Sequence, residues 1–296
     1  MSDTIVWGVV GIAAVAMAAV EAAGGQRRKP KGVRPRAVVF KTVGKVQLRL
    51  FVYEPAGHKP TDRRPAIVFF FGGGWRGGSP RQFHQHSRYL ASRGMVAMTA
   101  EYRVGGRHKV KPFKCVADAK SAVRWIRANA ATLGIDPDRI AAGGGSAGGH
   151  LAAATAFLDG FDDPTDDATV SAKPNALVLF NPVIDTTPKG YGSERLGDQA
   201  EAMSPVHHVR KGAPPTIVFH GKADRTVPFE NVQRFEKRMK AVGARCELMA
   251  FEGKGHGFFN YGRDGGMAYF ESVRAADQFL VSLGYLEGPP TLEPPK

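Results

Sequence analysis

The chain has 296 residues, 43% of them hydrophobic and 23% charged, which is typical of globular proteins and excludes a disordered or fibrous chain. Two cysteines are too few for a disulfide framework. We expect Cys115 and Cys246 to be small core residues, and we expect neither a metal site nor a cofactor. The net charge of +14 comes from scattered lysines and arginines, which argues against a nucleic-acid-binding protein. It indicates a cationic surface that attracts anionic polymers or lipid headgroups.

The N-terminus combines an apolar segment with a basic one. Residues 5–20 form an unbroken run of apolar residues and glycine, the length of a signal-peptide core, and small residues follow. No positive charge precedes this run, and a basic cluster follows it, which favours a membrane anchor with the domain in the cytoplasm. A misplaced start codon is a third explanation. We predict a signal peptide or anchor over residues 1–22, a basic linker over residues 23–36, and export to the periplasm or medium, with an anchored or cytoplasmic protein as the alternative.

From residue 37 onwards, strand and helix patterns alternate. The run AIVFFF at residues 66–71 shows no polar alternation, which is typical of a strand buried on both faces of a parallel sheet. We therefore predict an α/β fold, in which helices flank a mostly parallel central sheet, as one domain over residues 37–284. A disordered proline-rich tail is expected over residues 285–296. The predicted strands are 37–40, 46–53, 66–71, 95–100, 139–143, 176–180, 216–219 and 245–251, and the predicted helices are 80–92, 111–133, 147–158, 229–242 and 267–283.

Candidate catalytic side chains follow three of these strands. Ser146 lies in the sequence GGSAG between a strand and a helix, the G-x-S-x-G pattern of a nucleophile elbow. Because serine needs a base, and the base needs a carboxylate that fixes its tautomer, we assign His256 and Asp224, each just after a later strand, to these roles. Asp185 is the rival acid and His150 the rival base. For these two we expect turn capping and packing, respectively.

The sequence FGGGW at residues 71–75 follows the buried strand. Glycines at this place let backbone N–H groups point into a cleft, so Gly73 and Gly74, together with Ala147, are predicted to hold an oxyanion. Trp75 and Tyr102 are candidate stacking platforms for a substrate, and packing is the alternative role for both.

With these motifs the chain resembles the alpha/beta-hydrolase superfamily from about residue 37 to residue 284. It is similar to the esterase/lipase branch, including acetyl-xylan and feruloyl esterases, in its H-G-G-G-W-type loop and in the pair Tyr102-Arg103. Phe71 stands where that branch has a histidine that orders the loop. The resemblance therefore implies ester hydrolysis through an acyl-enzyme, with an oxyanion hole whose support is apolar.

The segment available for a lid is short. About thirty residues separate Asp185 from Pro214, enough for a loop and one short helix, so we predict no large lid domain. The cleft should be shallow and open, with Trp75 and residues 189–199 at its rim. The predicted substrate is a short acyl ester of the acetyl type, on a small molecule or a polysaccharide. The alternatives are a serine peptidase of the prolyl-oligopeptidase type and an inactive binding module on the same fold.

Overall fold

The structure is a computed structural model that describes Met1 and residues 35–295. The predicted signal peptide or anchor, and all but the end of the basic linker, lie outside the described residues, so these assignments and the predicted export stay predictions. Among the described residues, no helix has both the length and the apolar character needed to cross a membrane.

The described residues contain the strands β1 (Arg36–Val43), β2 (Val46–Tyr53), β3 (Arg64–Phe70), β4 (Val96–Ala100), β5 (Ile135–Gly145), β6 (Ala176–Phe180), β7 (Thr216–Gly221) and β8 (Cys246–Phe251). They form one sheet with the order β1-β2-β4-β3-β5-β6-β7-β8. The pairs β1–β2 and β2–β4 are antiparallel, and every other neighbouring pair is parallel, which confirms the predicted mostly parallel sheet.

Helices cover both faces of this sheet. Alternate residues of a strand point to opposite faces, and in β3 Val68 joins one buried cluster while Ile67 and Phe69 join the other. The first cluster includes residues of α3 (Pro112–Ala128), α4 (Ala147–Phe157) and α6 (Phe229–Ala241), and the second includes residues of α1 (His84–Ser92) and α7 (Met267–Ser282). The continuous apolar run of β3 is therefore buried on both sides, as predicted. The helices are α1 (His84–Ser92), α2 (Gly105–His108), α3 (Pro112–Ala128), α4 (Ala147–Phe157), α5 (Ser193–Leu196), α6 (Phe229–Ala241) and α7 (Met267–Ser282).

Several element boundaries differ from the predictions; for example, β5 begins at Ile135 instead of residue 139. Helix α3 ends at Ala128 instead of residue 133, because Asn129 leaves the helical conformation and its side-chain amide donates to the carbonyl of Trp125. The short helix α2 was not predicted. Between β6 and β7, the described chain holds α5 and two short 3-10 helices, Gly197–Gln199 and Pro205–His208, in place of a lid domain.

The C-terminal segment packs onto the domain, so the prediction of a disordered tail is wrong for its first residues. Tyr285 and Leu286 are buried. Arg93 then donates to the carbonyls of residues 287 and 288, at 2.9 Å each. These contacts fix the start of a proline-rich segment whose composition had predicted disorder. Both cysteines are buried and unbridged, as expected.

Candidate active site

Ser146 forms a sharp turn between β5 and α4. Its backbone has φ 55° and ψ −121°, a conformation that residues other than glycine rarely adopt. The turn also brings the start of α4 against the end of β3: a Cβ at Gly148 would lie 2.0 Å from the carbonyl oxygen of Phe70. A Cβ at Gly144 would lie 2.4 Å from the carbonyl oxygen of Gly148. The glycines around Ser146 are therefore required by close backbone contact.

The three predicted catalytic side chains lie together at the carboxyl ends of the strands. His256, in the loop after β8, has its Nε2 atom 2.9 Å from Ser146 Oγ and its Nδ1 atom 2.7 Å from Asp224 Oδ2. Asp224, in the loop after β7, is held from its other oxygen by the backbone N–H groups of Thr226 and Val227, at 2.8 and 3.0 Å. This is the chain of hydrogen bonds that a serine nucleophile, an imidazole base and an orienting carboxylate require.

Asp224 remains a carboxylate although its side chain is buried. Burial alone would raise its pKa, but hydrogen bonds from His220 and His256 outweigh this effect and hold the pKa well below its usual value. His220 was missed by sequence reasoning. Its Nε2 atom lies 3.0 Å from the carbonyl oxygen of Val227 and 3.4 Å from Asp224 Oδ2. The available signal was a histidine at the end of an apolar strand, four residues before the aspartate.

The rival residues have other partners. Asp185 accepts hydrogen bonds from the backbone N–H and the hydroxyl of Thr187, at 2.8 and 2.7 Å, and pairs with Arg234. It therefore caps a turn, as expected. His150 is buried in α4 and donates from Nε2 to the carbonyl of Met203 at 2.7 Å, while burial lowers its pKa to about 4. It is a neutral packing residue.

The glycines after β3 lie beside Ser146. Gly73 and Gly74 line the cleft, and the N–H of Ala147 opens α4, where a helix provides no acceptor for it. A Cβ at Gly72 would lie 2.9 Å from the carbonyl oxygen of Gly145, so this loop also depends on close backbone contact. Gly73 and Gly74 thus line the cleft that contains Ser146, and the role of their N–H groups and that of Ala147 in holding an oxyanion stays a prediction.

Gln82 supports this loop, and no motif had marked it. Its Oε1 atom accepts the N–H of Gly72 at 2.7 Å, and its Nε2 atom donates to Asn260 Oδ1 at 3.0 Å. Asn260 in turn donates to the carbonyl of Gly257, the neighbour of His256, at 2.7 Å. Gln82 therefore connects the glycine loop predicted to hold the oxyanion (residues 71–75, the oxyanion loop) to the loop that contains His256.

The family follows from this geometry together with the sequence. Residues 50–239, more than half of the chain, match the BD-FAE family model. The chain belongs to the BD-FAE family. Its fold is that of the alpha/beta-hydrolase superfamily.

Solved structures and curated relatives agree with this membership. Esterase 2 of Thermogutta terrifontis, solved phosphorylated by paraoxon, is 53% identical over 88% of this chain and 99% of its own, with a TM-score of 0.83. Its propionate-bound structure has the same identity and TM-score, and the match covers 88% of this chain and 98% of that one. Esterase LipC of Mycobacterium tuberculosis is 30% identical over 67% of this chain and 54% of its own. An acetylxylan esterase of Xylanibacter ruminicola is 26% identical over 73% of this chain and 44% of its own. The chain spans about half the length of the curated relatives it matches.

Two substrate-contact predictions are wrong for this family member. Trp75 and Tyr102 are each only 1% exposed, so neither ring is available for a sugar to stack on. Trp75 packs edge-on against His150, with ring centroids 5.1 Å apart. Tyr102 stacks on Phe71 at 4.1 Å and donates its hydroxyl to the carbonyl of Phe71 at 2.6 Å. Both rings fill the space beneath the oxyanion loop, and this stacking is the apolar support expected from the Phe71 replacement.

The cleft at Ser146 is open and polar. Its volume is about 360 Å³, and the predicted rim segment contributes Tyr191 and Arg195, whereas Trp75 does not line it. The arginines of this cleft were not anticipated from the sequence. Its charged and aromatic lining residues, apart from His256, are Arg76, Arg195, Arg263, Tyr191 and Phe259.

Proposed function

We propose that this protein is a serine carboxylesterase in which Ser146 is the nucleophile, His256 the general base and Asp224 the residue that orients the base. The observation that carries the proposal is the continuous chain of hydrogen bonds, 2.9 Å from Ser146 to His256 and 2.7 Å from His256 to Asp224. The esterase names of its relatives support it.

The proposed reaction proceeds in two halves. His256 Nε2 takes the proton of Ser146 Oγ as this oxygen attacks the ester carbonyl, and the ionised Asp224 stabilises the resulting imidazolium. The N–H groups of Gly73, Gly74 and Ala147 hold the negative oxygen of the tetrahedral intermediate. His256 then gives its proton to the departing alcohol. In the second half, His256 takes a proton from water as the water oxygen attacks the acyl carbon. It returns this proton to Ser146 Oγ as the acyl–serine bond breaks and the acid leaves.

Short acyl groups suit this cleft best. An acyl chain gains about 0.8 kcal/mol for each methylene that it buries, and a lidless cleft of about 360 Å³ offers few places to bury one. The esterase 2 structures with propionate and with butyrate bound support short acids in this family. Acetyl groups on carbohydrate are the leading natural esters, supported by the acetylxylan esterase among the relatives.

Hydrolysis of p-nitrophenyl acetate, beside a proline-linked peptide substrate, tests this proposal against the peptidase and the inactive module. Ser146→Ala should fold normally and lose about 10³-fold or more in kcat. Paraoxon, which phosphorylated esterase 2, should label Ser146 of the wild-type chain and leave the alanine variant unlabelled. Peptide cleavage without ester cleavage would favour the peptidase, and no turnover of either substrate would favour the binding module.

A further inference from the structure

A second hollow adjoins the catalytic cleft. It has a volume of about 420 Å³ and shares three lining residues, Gly74, Arg76 and Arg195, with the cleft at Ser146. The segment from Gly105 to Pro112 provides most of its other wall. Two backbone hydrogen bonds hold this wall against the oxyanion loop. The N–H of residue 105 donates to the carbonyl of residue 75 at 2.8 Å, and the N–H of residue 106 donates to the carbonyl of residue 76 at 2.9 Å. The two hollows are therefore adjacent at these shared residues, and together they are called the groove.

The groove is basic along its whole length. Its cations come from four separate segments of the chain: Arg76, the pair Lys109 and Lys111, Arg195, and Arg263. Apart from the triad, the only carboxylate among its described lining residues is Glu194, which pairs with Arg195 at 3.1 Å.

Within the part of the chain that the structure describes, the other cations of the groove have no carboxylate partner, although Lys109 Nζ donates to the carbonyl of Gly106 at 3.3 Å. No ion pair is found among the described residues for Arg76, Lys109, Lys111 or Arg263, although the domain contains many ion pairs elsewhere. Four uncompensated cations around one groove attract anions and lower the affinity for cationic ligands.

We propose that this groove binds a polysaccharide that carries carboxylate groups, with an ester of one sugar at Ser146 and neighbouring uronate carboxylates at Arg76, Lys109 and Lys111. The proposal rests on the proposed esterase function and names its substrate class. The spread of cations over two hollows fits a chain of separated carboxylates better than one small anion. A lipid surface fits less well, because the large hydrophobic side chains exposed within residues 35–295 are Val39, Tyr261 and Met267, and none of them lines the groove.

Two matched polymers test the proposal. Polygalacturonate is first chemically acetylated, and one part is then left intact while the other has its carboxyl groups converted to neutral amides by carbodiimide coupling, so both forms carry the same acetyl esters. Acetate release should show a kcat/KM about tenfold higher for the intact polymer at low ionic strength, because several exposed ion pairs act together. At 1 M salt, where charges are screened within about 3 Å, this preference should disappear.

The variant Lys109→Gln/Lys111→Gln should lower the ratio of the two kcat/KM values about fivefold. A matched control, Lys211→Gln/Lys237→Gln, removes the same charge from exposed residues that line no part of the groove, and it should keep the wild-type ratio.

The outcomes separate the two proposals. Failure of the wild type to hydrolyse p-nitrophenyl acetate as well as the polymers would refute the esterase function. Two results would overturn the groove proposal alone, provided that the wild type hydrolyses p-nitrophenyl acetate. One is an equal kcat/KM on both polymers at low ionic strength, and the other is no release of acetate from either polymer. Faster hydrolysis of short-chain esters in phosphatidylglycerol vesicles than in phosphatidylcholine vesicles, combined with equal polymer rates, would overturn it in favour of a lipid surface. An equal drop in the ratio for the control variant would also overturn it.

Discussion

Gln82→Leu is the substitution that best tests how the oxyanion loop is positioned. It removes two hydrogen bonds, one from Gly72 at 2.7 Å and one to Asn260 at 3.0 Å. A neutral hydrogen bond contributes about 1 kcal/mol net, so the two together contribute about 2 kcal/mol. If this free energy keeps Gly73 and Gly74 in place for the transition state, kcat should fall about 30-fold, because 1.4 kcal/mol corresponds to a factor of ten. The loss of kcat should stay below the loss of about 10²–10³-fold that follows deletion of one oxyanion donor, because the N–H groups remain present.

The assay is steady-state hydrolysis of p-nitrophenyl acetate, with kcat and KM measured separately and the folded state checked by thermal unfolding. KM should change by less than about threefold, because the oxyanion donors act mainly in the transition state. Gln85→Leu is the matched control, since Gln85 lies three residues further along the same segment, outside the cleft. A Gln82→Leu protein that folds and keeps its wild-type kcat would refute the reasoning, and so would an equal loss in Gln85→Leu.

Three further predictions concern the carboxylates, the acyl group and a buried histidine. Asp224→Asn should reduce kcat by a factor of about 10⁴. Asp185→Asn should lower the free energy of unfolding by about 1–3 kcal/mol through its lost ion pair and change kcat by no more than a few-fold. A larger loss of kcat in Asp185→Asn than in Asp224→Asn would show that the wrong acid was chosen. Rates on p-nitrophenyl esters from acetate to decanoate should peak at four carbons or fewer, and a maximum at eight or more would contradict the open cleft. His86 is buried with no hydrogen-bond partner in the described part of the chain, and burial lowers its pKa from 6.5 to about 3. Between these values the unfolded chain binds a proton at His86 that the folded chain excludes. The free energy of unfolding of the wild type should therefore fall by up to about 1.4 kcal/mol per pH unit as the pH falls from about 6.5 towards 3. In urea titrations His86→Phe should flatten this slope, and an unchanged slope would contradict the prediction.

The parts of the site that could be predicted from the sequence have local signatures. The turn at Ser146 requires glycines at fixed offsets, because Gly144 and Gly148 touch neighbouring backbone. Asp224 and His256 follow strands whose apolar runs are visible in the sequence, and parallel strands end at one edge of a sheet. Residue type and position along the chain were sufficient to predict that these three side chains meet.

The remaining features depend on contacts between distant segments, and no local pattern reports such contacts. Gln82 acts through Asn260, 178 residues away. Trp75 and Tyr102 follow strand ends near the cleft, like residues that could meet a substrate, but their burial depends on packing against His150 and Phe71. An aromatic residue near a glycine loop has the same sequence signature in either role, so only the packed structure distinguishes them.

Under the two proposals, catalysis and substrate selection depend on different parts of this fold. The triad is anchored at strand ends, and the backbone N–H groups of Thr226 and Val227 fix Asp224 at 2.8 and 3.0 Å. The groove cations instead come from connecting loops and short helices, which tolerate substitution better than the sheet does. Charge changes at Lys109 or Lys111 should therefore alter KM for a charged polymer much more than kcat. The groove proposal therefore assigns the preference for an acidic over a neutral polymer to these loops, and the ester chemistry to the strand ends.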